Sequence, residues 1–326
     1  MLVDFRRASH AIFPARKIWP CPDFGARPLG RFNLQNFCGM KRAEARAPSA
    51  NEDTTENFCK LDRAIASAII NLQMNLEVIL TPAELPVLKQ RDLRATACVV
   101  FDVLRATSTF VTALHNGAKA IIPVSEISET LAFKKAEGGK RKAEIILLGG
   151  ERDGVRISAN GIDFDLGNSP REYTPEKVRG KTIVSTTTNG TRALRACAGA
   201  QTVLAASFLN LTATAEFLRR KNFKNVLLVC AGTGENAALE DVLAAGALCE
   251  IFFTGKIAET LSDSAEIARR TFVQTKPDLA AAIGDSQNGR RLLAIPELRE
   301  DVAFCLQRDI FPMVAKMEAD GVIQCG

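Results

Sequence analysis

Histidine and the larger aromatics are scarce in this chain: its 326 residues include two His, one Trp and one Tyr. With only His10 and His115 available, a histidine-ligated zinc centre or a histidine-assisted nucleophile is a poor fit. Nine cysteines are present, but none forms a CxxC pair, and Cys98 and Cys230 lie inside apolar runs. Free buried thiols in a reducing compartment account for them better than a disulfide scaffold does. No stretch reaches the roughly 18 apolar residues of a membrane helix, and the amino terminus lacks an apolar signal core, so a cytoplasmic protein without a membrane partner is expected. The glycine motifs are incomplete too. Gly232-Thr233-Gly234 is not followed by the rest of a dinucleotide fingerprint, and neither GKT nor GKS occurs, which weighs against nicotinamide and P-loop enzymes. The net charge is +5, but residues 1–73 hold 11 Lys/Arg against 7 Asp/Glu. The remainder is close to neutral and implies no nucleic-acid partner.

The chain does have apolar residues, 47% of the total, enough for a substantial core. Residues 1–73 show no steady hydrophobic period, only a candidate helix over 58–72 and a polar run over 47–57. MNLEVILTP then begins at Met74 with a clean strand pattern. Two explanations stand: residues 1–73 are a non-native extension ahead of a start at Met74, or they are a disordered natural extension. The domain expected is 74–326.

Short β-branched runs alternate with helical periods along that domain. Strands are expected over 76–80, 97–101, 120–124, 144–148, 182–185, 202–205 and 226–231. Helices are expected over 108–116, 125–137, 210–220 and 239–253, with another ending at Ala198 and a short connector at 173–178. The tail reads as helical over 263–274, 277–283 and 296–305, with a turn at Asn288-Gly289. The fold class is α/β, a layered α/β/α arrangement with a largely parallel or mixed sheet and a helical carboxyl-terminal region covering one side.

The run VVFDVLRATST, from Val99 to Thr109, organises the functional reading. An apolar strand delivers Asp102, then Arg105 and three hydroxyl residues, into a turn before a helix. The same vocabulary recurs at Glu151-Arg152, at Asn168-Ser169, in the run Thr186–Thr191, and between Gly232 and Asp241. In a mainly parallel sheet these loops gather at one edge. The gathered set of carboxylates, arginines and small donors suits an oxyanion beside a hard divalent cation. Arg105 and Arg152 can grip an oxyanion through paired donors. The turn Thr187-Thr188-Asn189-Gly190-Thr191, ahead of a helix, offers amides to an anion. Asp102, Glu151, Glu240 and Asp241 are suitable Mg²⁺ ligands. Since consecutive helix residues face different ways, at most one of Glu240 and Asp241 points at the site. The plainer alternative is an Asp102–Arg105 pair capping a strand, with ordinary turn chemistry at the other strand ends. His115, near a helix end, reads as structural, and Cys230 has no visible base beside it.

Taken together, VVFDVLRATST with LHNGAKAI, GGERDGVRI with FDLGNSP, TTTNGTRAL, and CAGTGENAALED with AAGAL resemble the 2-phosphosulfolactate phosphatase family, over about 250 residues from Met74 onward. The resemblance implies a family-specific α/β/α phosphatase fold and Mg²⁺-dependent hydrolysis of 2-phospho-3-sulfolactate to 3-sulfolactate and phosphate, a step of coenzyme M biosynthesis. It implies Asp102, Glu151, Glu240 and Asp241 as metal ligands, and Arg105, Arg152 and Asp241 with Asp102 and Glu151 as catalytic residues. Asn168, Ser169 and Thr187–Thr191 would bind substrate. Asp102 is either a metal ligand or a nucleophile. Another small phosphorylated carboxylic acid as substrate, or a non-catalytic anion-binding protein, are the alternatives, and a homodimer is the default assembly.

Overall fold

The computed structural model describes residues 74–326 apart from 89, 138–144, 153, 160 and 255–258. All the described residues belong to one compact unit. The expectations for residues 1–73 lie outside the described residues.

The strands are β1 (Met74–Ile79), β2 (Thr96–Phe101), β3 (Ala120–Pro123), β4 (Ile146–Arg152), β5 (Val155–Arg156), β6 (Ser158–Ala159), β7 (Ile162–Asp163), β8 (Thr182–Thr186), β9 (Thr202–Ala206), β10 (Asn225–Cys230), β11 (Glu259–Leu261), β12 (Ala315–Met317) and β13 (Ile323–Cys325). The α-helices are α1 (Leu85–Leu88), α2 (Ala106–His115), α3 (Ile127–Glu137), α4 (Pro175–Val178), α5 (Gly190–Ala196), α6 (Leu211–Lys221), α7 (Leu239–Thr254), α8 (Asp263–Thr275), α9 (Leu279–Gly284), α10 (Gln287–Leu293) and α11 (Arg299–Cys305).

Eleven strands form one mixed sheet in the order β11-β1-β10-β2-β9-β12-β13-β3-β8-β4-β5. It consists of two parallel blocks, a hairpin between them and the edge strand β5, antiparallel to β4. β11, β1, β10, β2 and β9 make the first, and β3, β8 and β4 the second. The hairpin β12–β13 joins them and is antiparallel to its neighbour on each side. Every residue of β2 is buried, as expected of a strand covered on both faces.

Alternation along the strands sorts the core. Val99 and Phe101 pack with α6, α7 and α8 on one face of the first block. Cys98 and Val100, on the other face, share a core with α2 and α5 and with Ile121 and Ile183 of the second block. Val184 and Leu148 face outward from the second block in a third cluster. Helices α2 and α5 thus lie between the two blocks. Full burial of a Val or Phe side chain is worth roughly 1.5–3 kcal/mol, so these layers fix the strand ends firmly.

The mixed sheet and the helical tail are as expected, but four local readings change. The 144–148 strand extends to Arg152, so Glu151 sits on a strand end rather than in a loop. The 173–178 connector contains the short helix α4. Asn288-Gly289 is no turn but lies inside α10, capped by the Ser286 hydroxyl accepting from the Gly289 amide. The glycine serves close packing: a Cβ there would stand 1.8 Å from the Ile283 carbonyl. Finally, the tail also supplies β12 and β13 to the middle of the sheet. Strands of three residues are too short for periodicity to reveal. Among the described residues no helix is long and apolar enough to cross a membrane.

Candidate active site

The carboxyl ends of β2, β4, β8 and β10 open into one cleft of about 240 Å³. Asp102, Arg105, Glu151, Asn168, Thr188 and Asn189 line it, with the Gly232–Gly234 loop. Four separate sequence motifs therefore meet in one place.

Asp102 follows the last residue of β2. Its Oδ1 accepts the Ala106 amide at 3.1 Å, in the first turn of α2. Its Oδ2 faces Gly190 at the start of α5, where a Cβ would come within 2.6 Å of that oxygen. Glycine at 190 is thus required by the approach of a carboxylate. Burial pushes the Asp102 carboxyl up to about 7, helped by the charges of Glu151 and Glu240 and opposed by the Ala106 amide and Arg105. Glu151 is anchored at both oxygens. Oε1 accepts the Thr188 amide at 3.0 Å and its hydroxyl at 3.1 Å, and Oε2 accepts the Gly154 amide at 2.7 Å.

The anion seat foreseen at 187–191 is therefore partly taken by the protein's own groups. The Thr188 amide holds Glu151, and the Thr191 amide donates to the Thr187 hydroxyl. Thr187 and Thr191 build the turn, while Thr188 and Asn189 face the cleft. The Asn189 side-chain amide donates to the Ala231 and Gly234 carbonyls at 2.9 and 3.2 Å, tying the β8 and β10 loops together.

Glu240 and Asp241, both buried in the first turn of α7, stand behind the cleft wall with different duties. Asp241 accepts the Val103 amide at 2.8 Å and the Gly232 amide at 2.9 Å, joining the β2 and β10 loops. Burial, with the charges of Asp102 and Glu240, holds its carboxyl well above the usual range. Glu240 Oε1 accepts the Asn288 side-chain amide at 2.6 Å, and its buried Oε2 has no hydrogen-bond partner among the described residues. Burial raises its carboxyl as well.

The two arginines read as oxyanion clamps are otherwise engaged. Arg105 reaches the cleft but forms a 2.7 Å pair with Asp301 of α11, both side chains being almost fully buried, and donates to the Gly154 carbonyl at 3.0 Å. Arg152 lies off the cleft and donates to the Glu151 and Ser125 carbonyls and the Thr186 hydroxyl. Ser169 donates to Asp301 at 2.7 Å instead of facing the cleft. His115 stacks on Phe311, centroids 4.1 Å apart, and burial lifts the Cys230 thiol well above its ordinary value, so neither serves as base or nucleophile.

Sequence reasoning missed Asn288 and Arg291. Both come from α10 and line the cleft; three residues apart, they share a helix face. In sequence they are indistinguishable from a solvated helix surface, and the apparent Asn-Gly turn hid the helix itself.

Among the described residues no group of three or more His, Cys, Asp or Glu side chains is close enough to hold a metal ion unaided. The donors nevertheless suit a hard divalent cation that keeps several waters and takes one or two protein carboxylates. The charges of Glu151 and Glu240 both act against ionisation of Asp102, and Glu240 leaves a buried oxygen free; a cation relieves both.

Comparison with known proteins matches residues 79–320 to the family model for 2-phosphosulpholactate phosphatase. A protein of Caldanaerobacter subterraneus subsp. tengcongensis is 39% identical over 241 residues, 73% of this chain and 93% of its own length. One from Thermotoga petrophila is 43% identical over 216 residues, 66% of this chain and 86% of its own. One from Synechococcus sp. is 40% identical over 230 residues, 70% of this chain and 91% of its own. Each carries the name "Probable 2-phosphosulfolactate phosphatase".

Proposed function

This chain belongs to the 2-phosphosulpholactate phosphatase family, and from that membership we propose that it is a phosphoric monoester hydrolase releasing phosphate and 3-sulfolactate from 2-phospho-3-sulfolactate with the help of Mg²⁺. The observation that supports this most is the meeting of Asp102 and Glu151 in one cleft, with Glu240 behind it, all in a buried setting that leaves their charges unbalanced. One or two of Asp102, Glu151 and Glu240 would hold the cation, with water completing its shell; Asp241 serves as brace rather than ligand. Bound there, Mg²⁺ supplies charge to polarise the phosphoryl oxygens.

The chain's own residues do the rest. The Thr233 hydroxyl, which accepts from Asn288 and keeps its own proton, presents a donor to the phosphoryl group from the Gly232–Gly234 loop. Asp102, held between the first turns of α2 and α5, is placed to accept a proton from attacking water. Asp241 and Asn189 keep the β2, β8 and β10 loops in register, so that the donors stay aimed. Coenzyme M biosynthesis, a cytoplasmic location and a homodimer complete the proposal.

The test is phosphate release from a panel of phosphorylated two- and three-carbon acids, with Mg²⁺ and with chelator. Highest turnover on 2-phospho-3-sulfolactate, lost with chelator, is expected. A preference for a different phosphorylated acid would replace the substrate, and binding without turnover would leave an anion-binding protein. Asp102→Asn is expected to lower kcat by about 10³-fold while the far-ultraviolet spectrum stays native; a wild-type rate would remove Asp102 from its role.

A further inference from the structure

The cleft contains two arginines of opposite status. Arg105 is buried, and Asp301 at 2.7 Å neutralises it. Arg291 lines the cleft, is exposed, and forms no hydrogen bond or ion pair among the described residues. Gly154 connects the two. Its amide donates to Glu151 and its carbonyl accepts from Arg105, and the place where its Cβ would stand is 3.4 Å from the Arg291 guanidinium. Arg291 is thus a close neighbour of the carboxylate side of the cleft without being paired to it.

The charge balance gives this arrangement a purpose. Asp102, Glu151 and Glu240 crowd one side, where a cation would offset their charge and that of the phosphoryl group. A second anionic group on the same substrate would otherwise meet only negative or neutral walls. A planar guanidinium with free donors is the side chain best matched to a carboxylate or sulfonate. Asn288, one turn earlier on α10, is occupied with Thr233 and Glu240 at 2.6 Å each, which seats the helix against the cleft and sets the position of Arg291.

We infer that Arg291 is the specificity residue that receives the non-phosphate oxyanion of the substrate, selecting phosphate monoesters that also carry a carboxylate or a sulfonate. The inference rests on the phosphatase reading above.

It is tested with Arg291→Gln, Arg291→Lys and, as a neighbour control, Arg290→Gln. Each is assayed on 2-phospho-3-sulfolactate, phospholactate (carboxylate only), phosphoisethionate (sulfonate only) and ethyl phosphate (neither). The ratio of kcat/KM for 2-phospho-3-sulfolactate to that for ethyl phosphate is expected to fall by about 30-fold in Arg291→Gln, the size of a lost charged hydrogen bond. KM should carry the loss, Arg291→Lys should restore part of it, and Arg290→Gln should keep the wild-type ratio. With that ratio lowered, an accompanying loss on phospholactate but not phosphoisethionate assigns the carboxylate, and the reverse assigns the sulfonate. An unchanged ratio, or equal loss on ethyl phosphate, overturns the inference while leaving the phosphatase reading intact. If the wild type hydrolyses none of the four, that reading fails by itself, and calorimetric titration with 3-sulfolactate decides the role of Arg291. Binding weakened at least about tenfold in Arg291→Gln supports it, and equal or absent binding overturns it.

Discussion

The strand ends and loops at 102–109, 149–152, 187–191 and 231–241 and the tail over 263–326 serve the same cleft in opposite ways. The loops supply carboxylates and small donors already bonded to one another: Glu151 to Thr188 and Gly154, Asp241 to Val103 and Gly232, Asn189 to Ala231 and Gly234. The tail supplies what those loops lack. Asp301 balances Arg105, Asn288 holds Glu240, and Arg291 brings a free positive charge. A reactive edge made of motif loops is thus completed by a segment with no motif of its own.

The comparison is broken most directly at Asp301. Its carboxylate takes Arg105 at 2.7 Å and Ser169 at 2.7 Å inside the protein. Asp301→Ala leaves a buried guanidinium uncompensated and is expected to cost about 3–5 kcal/mol in urea unfolding, with a large loss of turnover as Arg105 releases Gly154. A cost below about 1 kcal/mol would mean that the tail merely covers the loops.

A smaller effect separates the two regions by pH. Asp102 belongs to the loops and titrates near 7 rather than at its ordinary 3.8. Between those values the native protein binds more protons than the unfolded chain, so stability falls as pH rises through that window. The metal-free protein should lose on the order of 2 kcal/mol between pH 5 and pH 8, measured as a drop in Tm, and Mg²⁺ should reduce the drop. A flat profile without metal would show that burial and the neighbouring charges do not raise the Asp102 carboxyl.

What could be read in advance follows the same division. β2 and β10 were legible because a buried parallel strand is an unbroken apolar run, and Asp102 and Glu151 were legible because an acid at the end of such a run is costly without a purpose. Partner choice was not legible. Nothing in ELREDVAF marks Asp301 as the mate of Arg105, nearly two hundred residues earlier, since that pairing exists only once α11 packs against the β2 loop. β12 and β13 were hidden for a related reason: three-residue strands draw their stability from their neighbours and carry no period of their own.

Arg152 makes the finest distinction between the regions, because it has the motif position that Arg291 lacks. Its guanidinium donates to the Ser125 and Glu151 carbonyls and to Thr186 at 2.8–3.1 Å, bracing β4 against β8 away from the cleft. Arg152→Gln should therefore lower stability by about 1–3 kcal/mol and leave the KM for 2-phospho-3-sulfolactate within about threefold of wild type, against the roughly 30-fold expected at Arg291. If KM rose more in Arg152→Gln than in Arg291→Gln, oxyanion recognition would belong to the motif loops after all, and the tail would be left with Asp301 and Asn288 as its contribution to the site.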